Sequence, residues 1–166
     1  THVTGIVDNL NNRVKTYTYD SQGRATLTEE ANGTDRYTVG YGINGTTLTR
    51  QVTNALGKVE DYSFTKYTTG SADFRFTGTA GQASTNTPAS SNSTAYGTDT
   101  FSSSITDDEG RTTTFVRDSR GNPTTIVEAS GTADARTTTM TWDATLNVPT
   151  SIVKPGLTET RTYNSS

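Results

Sequence analysis

The chain of 166 residues contains no cysteine, which excludes a disulfide framework and thiolate metal sites. Its single histidine is His2, so a Ser/His/Asp triad or a histidine-based metal centre would have to be built on a frayed terminus. Hydrophobic residues are only 29% and mean hydropathy is -0.66, leaving little for a two-layer core. No apolar run approaches the ~20 residues of a membrane-spanning helix, and there is no signal-peptide pattern. Charge is scarce too: 19% of residues are charged and the net charge is -3, which argues against nucleic acid or membrane insertion as partners. Phosphate-binding loops and dinucleotide fingerprints are missing, so no cofactor is expected.

The missing aliphatics are replaced by Thr, Ser, Gly and Asn. Thr, like Tyr, favours strands, while Gly and Asn favour tight turns. These residues fall in a repeat. Tyr19-Asp20-Ser21-Gln22-Gly23-Arg24 aligns with Arg117-Asp118-Ser119-Arg120-Gly121-Asn122 and with Trp142-Asp143-Ala144-Thr145-Leu146-Asn147. Each places an Asp three residues before a turn position. Tyr41-Gly42-Ile43-Asn44-Gly45 keeps the spacing without the Asp. The leading positions 19, 41, 117, 142 and 163 give intervals of 22, 25 and 21 residues where neighbours are contiguous. About two strands and two turns fit in each.

A second turn interleaves with the first, at Asp8 to Asn12, Thr53 to Gly57, Asp107 to Gly110, and Lys154-Pro155-Gly156. From its last residue to the next leading position is seven residues at 12 to 19, 57 to 64, 110 to 117 and 156 to 163. These spacers alternate with the period of a strand. Tyr17 and Tyr19, Tyr62 and Phe64, Phe115, and Tyr163 fall on one side of their strands, which predicts a ladder of rings on one face. The bland reading of these tyrosines is packing, and that of the Asp-x-x-Gly units is turn chemistry, with Asp accepting amide bonds and Gly taking positive φ.

Tyr19-Asp20-Ser21-Gln22-Gly23-Arg24, followed by the Asn32-Gly33 turn, resembles the YD repeat of Rhs proteins, as does Asp107 to Arg111 running into Arg117 to Pro123. The repeat-defining positions are Tyr19, Asp20, Gly23, Gly57, Gly110, Asp118, Gly121, Asp143 and Tyr163. The departures are the absent Asp at Gly42, Arg117 and Trp142 in place of Tyr, and Leu146 in place of Gly. The resemblance implies an all-β fold in which antiparallel hairpin repeats form a twisted, curved YD-repeat sheet or an arc of a β-shell. It also implies a secreted or cell-surface location in bacteria. Family shells enclose a cargo toxin or present an adhesive surface, so the resemblance implies an encapsulated toxin or a cell-surface protein as partner; the open edges of such an arc call for the remainder of a longer repeat chain or a homo-oligomer, and exposed aromatic residues for a glycan.

Ten to twelve strands and no helix longer than a turn are expected, in a single domain over 1-166 with repeats at about 4-64 and 104-164. Between them, about 68-104, lies an irregular Thr/Ser/Gly-rich insertion that reads as a loop, with strands near Phe74 and Tyr96 and a hairpin tip over 78-94. The carboxylates Asp107, Asp108, Glu109 and Asp118 sit in turns, where they face solvent, and are too few for an EF-hand; the chain reads as non-catalytic with no metal site. Tyr37, Tyr41, Tyr67 and Trp142 are the candidates for stacking on sugar rings, should they lie exposed opposite the ladder.

Overall fold

The computed structural model describes residues 1-66 and 73-164. It is all-β apart from one 3-10 turn at Ala31–Gly33. Two compact units divide the chain, Thr1–Ser91 and Asn92–Ser166. The first holds β1 (Gly5–Val7), β2 (Arg13–Tyr19), β3 (Ala25–Glu30), β4 (Tyr37–Asn44), β5 (Thr47–Thr53), β6 (Val59–Lys66) and β7 (Phe74–Gly81). After β8 (Ser90–Tyr96), which starts at the boundary, the second holds β9 (Ser102–Thr106), β10 (Thr112–Arg117), β11 (Pro123–Glu128), β12 (Arg136–Trp142), β13 (Pro149–Lys154) and β14 (Leu157–Thr160). Within each unit every strand pairs antiparallel with its neighbours in sequence. Short turns make this the cheapest topology, because each hairpin closes a small loop.

Among the described residues fourteen strands form where ten to twelve were expected. The Thr/Ser-rich stretch supplies β7 and β8 in full and the start of β9. Hydroxyls substitute for aliphatics there because a strand needs β-propensity and alternation rather than a buried core.

Register sorts the side chains by face. In the first unit one row runs Tyr41, Arg50, Tyr62, Thr79, and the next Ile43, Leu48, Phe64, Phe76. The opposite face carries the pairs Thr38 with Thr53, Thr49 with Ser63, and Thr47 with Thr65. The second unit repeats the division. Phe115, Ile126 and Thr138 make one row and Met140, Ile152 and Glu159 another, while Val116, Thr125, Thr139 and Val153 lie on the other face. Among the described residues no hydrophobic side chain is fully buried, so each unit is a single layer whose aromatic face has nothing packed over it.

Candidate functional site

Five loops share one construction. At Asp8, Asp20, Asn54, Asp107 and Asp118 the side-chain Oδ1 accepts the amides two and four residues on, at 2.8 to 3.1 Å. The same residue's backbone N–H bonds to the carbonyl four residues on, closing the hairpin. The residue three on takes positive φ: Gly23 at 76°, Gly57 at 77°, Gly110 at 78°, Gly121 at 86°, and Asn11 at 63°. The two interleaved turns of the sequence are therefore one motif, with Asn serving in either role. Asp143 builds a variant one residue longer, its Oδ1 accepting the Thr145 and Leu146 amides at 2.8 and 2.7 Å. Two expected members are built differently. Pro155-Gly156 is a two-residue turn between Lys154 and Leu157. At Gly42 the five-residue loop does not form; β4 runs on to Asn44 and a two-residue turn, with Gly45 at φ 58°, joins it to Thr47 of β5.

These bonds also fix the charge state. Amides hold Asp8 and Asp20 below the ordinary carboxylate range, led by those of Asn12 and Arg24 respectively. The Arg111 side chain does so for Asp107 and the Leu146 amide for Asp143. At Asp118 desolvation pushes upward but is outweighed by the amide and side chain of Asn122, and the net shift is down. Asp107 and Glu109 share Arg111, at 2.8 Å each. Among the described residues no three His, Asp or Glu converge as a metal site.

Four leading aromatic side chains reach back to backbone carbonyls earlier in the chain. Tyr19 donates its O–H to the Val3 carbonyl at 2.8 Å, Tyr41 to Ala25 at 2.7 Å, and Tyr163 to Pro149 at 2.8 Å; Trp142 donates its indole N–H to Pro123 at 2.8 Å. Ala25, Pro123 and Pro149 are each the first residue of a strand after a turn. Arg120 adds bonds to the Asp143 and Ala144 carbonyls at 2.6 and 3.2 Å. Next to three of the four accepting residues, Ala25, Pro123 and Pro149, the strand is bulged by one residue, Thr26, Thr124 or Thr150. Its hydroxyl bonds back, to Thr18 at 2.9 Å, the Val116 carbonyl at 3.2 Å, and Thr141 at 2.9 Å. Sequence reasoning missed this threonine, although Thr follows the first strand residue in Ala25-Thr26, Pro123-Thr124 and Pro149-Thr150.

The expected ring ladder takes another form. Equivalent strands are second neighbours, about 9.6 Å apart at the spacing of paired strands, beyond the reach of ring contact. Cations stand between instead: the guanidiniums of Arg24, in the turn before β3, and Arg50, on β5, lie 4.3 and 4.9 Å from the Tyr41 ring centre. Arg117 lies 5.3 Å from both Phe101 and Phe115. Among the described residues His2 pairs directly with Tyr19 at 4.6 Å and Phe64 with Phe76 at 5.8 Å.

Of the sugar-stacking candidates, Tyr37 and Tyr41 share one face of β4, with Tyr37 41% exposed. Tyr41 and Trp142 are half-buried, with their polar tips on backbone carbonyls. Trp142 belongs to the other compact unit, and Tyr67 lies outside the described residues. In the second unit a shallow groove of 750 Å³ runs over Ile126, Met140 and Ile152, with Glu128, Arg136 and Lys154 at its rim.

Residues 103–133 match the family model described as RHS Repeat. That span covers the loops at Asp107 and Asp118 together with β10 and β11. No curated protein matches the chain.

Proposed function

From a chain that carries an RHS repeat, we propose a non-catalytic structural segment of a secreted or surface Rhs-type β-shell. The observation that supports it is where the repeat's distinctive side chains go. The carboxylates of the turns hold backbone amides, and the leading aromatics at 19, 41, 142 and 163 hold backbone carbonyls 14 to 19 residues earlier in the chain. Chemistry that is saturated by the chain's own main chain serves shape. An uncovered aromatic face suits the enclosed side of such a shell, where it meets cargo or further repeats rather than bulk water.

The second reading is a recognition module for a glycan or surface protein. It is favoured by Tyr37, whose ring stands 41% exposed on the same face as Tyr41. A glycan-array screen of the isolated chain separates the two. The scaffold reading expects no saturable signal. Saturable binding that Tyr37→Ala abolishes, with an unchanged melting curve, would replace it with the recognition module.

A further inference from the structure

Two asparagines precede glycine, Asn32 and Asn44, and both triplets read Asn-Gly-Thr. In such a pair the glycine nitrogen can attack the asparagine Cγ, because no side chain on the glycine blocks the approach. The new C–N bond closes a five-membered succinimide. The proton of the glycine N–H passes through water to the departing side-chain nitrogen, which leaves as ammonia. Water then opens the ring at either carbonyl, giving aspartate or, with the main chain rerouted through the former side chain, isoaspartate. Three other asparagines are committed elsewhere. Asn54 Oδ1 accepts two amides at 3.0 Å, while Asn12 and Asn122 donate Nδ2 to Asp8 and Asp118, and Pro123 after Asn122 has no N–H to lose.

The two Asn-Gly-Thr triplets are alike in sequence and unlike in setting. Ring closure swings the glycine nitrogen onto Cγ, a backbone rotation that neither a left-handed nor an extended asparagine already has. What differs is what the rotation breaks. Asn44 is the last residue of β4, opposite Thr47 and at the end of an unbroken β4–β5 ladder from Thr38. β5 pairs in turn with β6 over its whole length, and the Thr46 carbonyl in the turn itself accepts the Lys66 N–H at 2.7 Å. Rotating Asn44 therefore pulls on three strands.

Asn32 is held by far less. It lies in the β3–β4 connection with φ 62° and ψ 22°, and Gly33 follows at φ 74°. Across this step the Thr34 N–H reaches the Ala31 carbonyl only at 3.4 Å. The bond that closes the loop, from the Glu30 N–H to the Thr34 carbonyl at 2.8 Å, lies outside the step. β3 and β4 share just the pairs Leu27 with Thr38 and Thr28 with Tyr37. Residues 31 to 37 are all exposed, and the Asn32 side-chain amide bonds to nothing among the described residues. Leaving the left-handed region also relieves a conformation that L-residues hold at a cost.

We propose that Asn32 is a site of spontaneous deamidation in the folded chain, through a succinimide with Gly33, and that the β4–β5–β6 ladder protects Asn44. The inference stands apart from the scaffold reading. Its product adds a carboxylate to a stretch where Arg36 is the single cation among Glu29, Glu30 and Asp35. In the isoaspartate form it also lengthens the main chain of the loop that leads into Tyr37.

The test ages the 166-residue chain in mildly alkaline buffer, with circular dichroism to follow the fold, and reads each amide by mass spectrometry after trypsin. Cleavage after Arg24, Arg36 and Arg50 puts the triplets on separate peptides, 25–36 and 37–50, each with a single asparagine. In the folded chain peptide 25–36 should convert at least about tenfold faster, since attack at Asn44 waits for local opening of the ladder. In urea, where only the shared triplet remains, the two rates should converge. Isoaspartyl methyltransferase should label peptide 25–36 of the aged chain, because a ring opens at either carbonyl whereas direct hydrolysis gives aspartate alone. Equal rates in the folded chain, faster conversion at Asn44, a peptide 25–36 that stays intact until urea is added, or conversion there without label overturns the proposal.

Discussion

If the leading aromatics act as clamps, removing one hydroxyl should be felt where the same change four residues away is not. Tyr41→Phe deletes the 2.7 Å bond to the Ala25 carbonyl but leaves the ring between Arg24 and Arg50, so cation–π contact is retained. The net worth of such a bond is about 0.5–1.5 kcal/mol. In a unit the size of Thr1–Ser91, a loss of about 1 kcal/mol lowers the melting temperature by roughly 4–8 °C. Tyr37→Phe is the control: it lies on the same face of the same strand, 41% exposed, and its hydroxyl has no partner among the described residues. Its change should stay within about 0.5 kcal/mol. Urea titrations of both variants, followed by far-ultraviolet circular dichroism, give the comparison at matched slope. Equal midpoints would refute the clamp and reduce Tyr41 to a packing residue.

Glycines should divide by what surrounds them. Gly110→Ala meets only the roughly 1–2 kcal/mol penalty of a left-handed backbone, because a Cβ there would touch nothing within 4 Å. Gly121→Ala should lose more, since its Cβ would sit 2.6 Å from the Phe101 ring. Gly110→Asn should be close to neutral, as Asn11 already occupies that position at φ 63°; thermal melts of the three variants check the order. Acid sensitivity follows from the turn carboxylates. Asp8, Asp20, Asp107 and Asp143 have folded pKa values below their unfolded ones. Their stabilisation is therefore complete above the unfolded value of about 3.9 and is lost as pH falls through the folded values. Urea midpoints should hold steady down to about pH 5 and decline below about pH 4. Asp→Asn at 20, 107 and 143 together should flatten that decline, because Asn54 shows that an amide oxygen collects the same two N–H groups.

Fold class and turn positions were legible because both are local. An Asp or Asn placed three residues before Gly, followed by seven alternating residues, specifies a loop and a strand whatever lies beyond. Two things escaped for the same reason in reverse. The clamps reach a backbone carbonyl 14 to 19 residues away, and a carbonyl has no residue type by which to recognise it. The ladder failed on geometry: seven-residue register brings equivalent rings to second-neighbour strands, and only pairing shows that Arg50 lies between Tyr41 and Tyr62. In the 68–104 stretch the strands near Phe74 and Tyr96 were legible from their aromatic residues, whereas the start of β8 was obscured by composition, since Ser90 to Ser93 belong to a run close to low complexity although Ser and Asn there alternate in burial as a strand does.

The replacement of Tyr by Arg at 117 is explained by its neighbour. Two leading tyrosines carry a stacked partner from earlier in the chain: His2 on Tyr19 at 4.6 Å, and Arg24, just after the turn at Gly23, over Tyr41 at 4.3 Å. At a third pair the partners are exchanged: Phe101 follows the turn that Gly97 closes, with Thr100 at φ 75°, and Arg117 leads, 5.3 Å from its ring. The contact survives the exchange but the clamp does not, because a guanidinium bonds instead to the Gly121 carbonyl at 3.3 Å and leaves its Nε buried without a partner. A double-mutant cycle tests this compensation. Phe101→Arg alone sets two guanidiniums together and forfeits a cation–π contact, a loss of about 1 kcal/mol. Arg117→Tyr alone keeps a ring pair, removes the stranded Nε and brings a hydroxyl within reach of the Ser102 carbonyl, the counterpart of Ala25, so it should be neutral or stabilising. In that background Phe101→Arg recreates the Arg24–Tyr41 pair, and its penalty should vanish. A penalty of the same size in both backgrounds would show that the two positions are independent and that the exchange is coincidence.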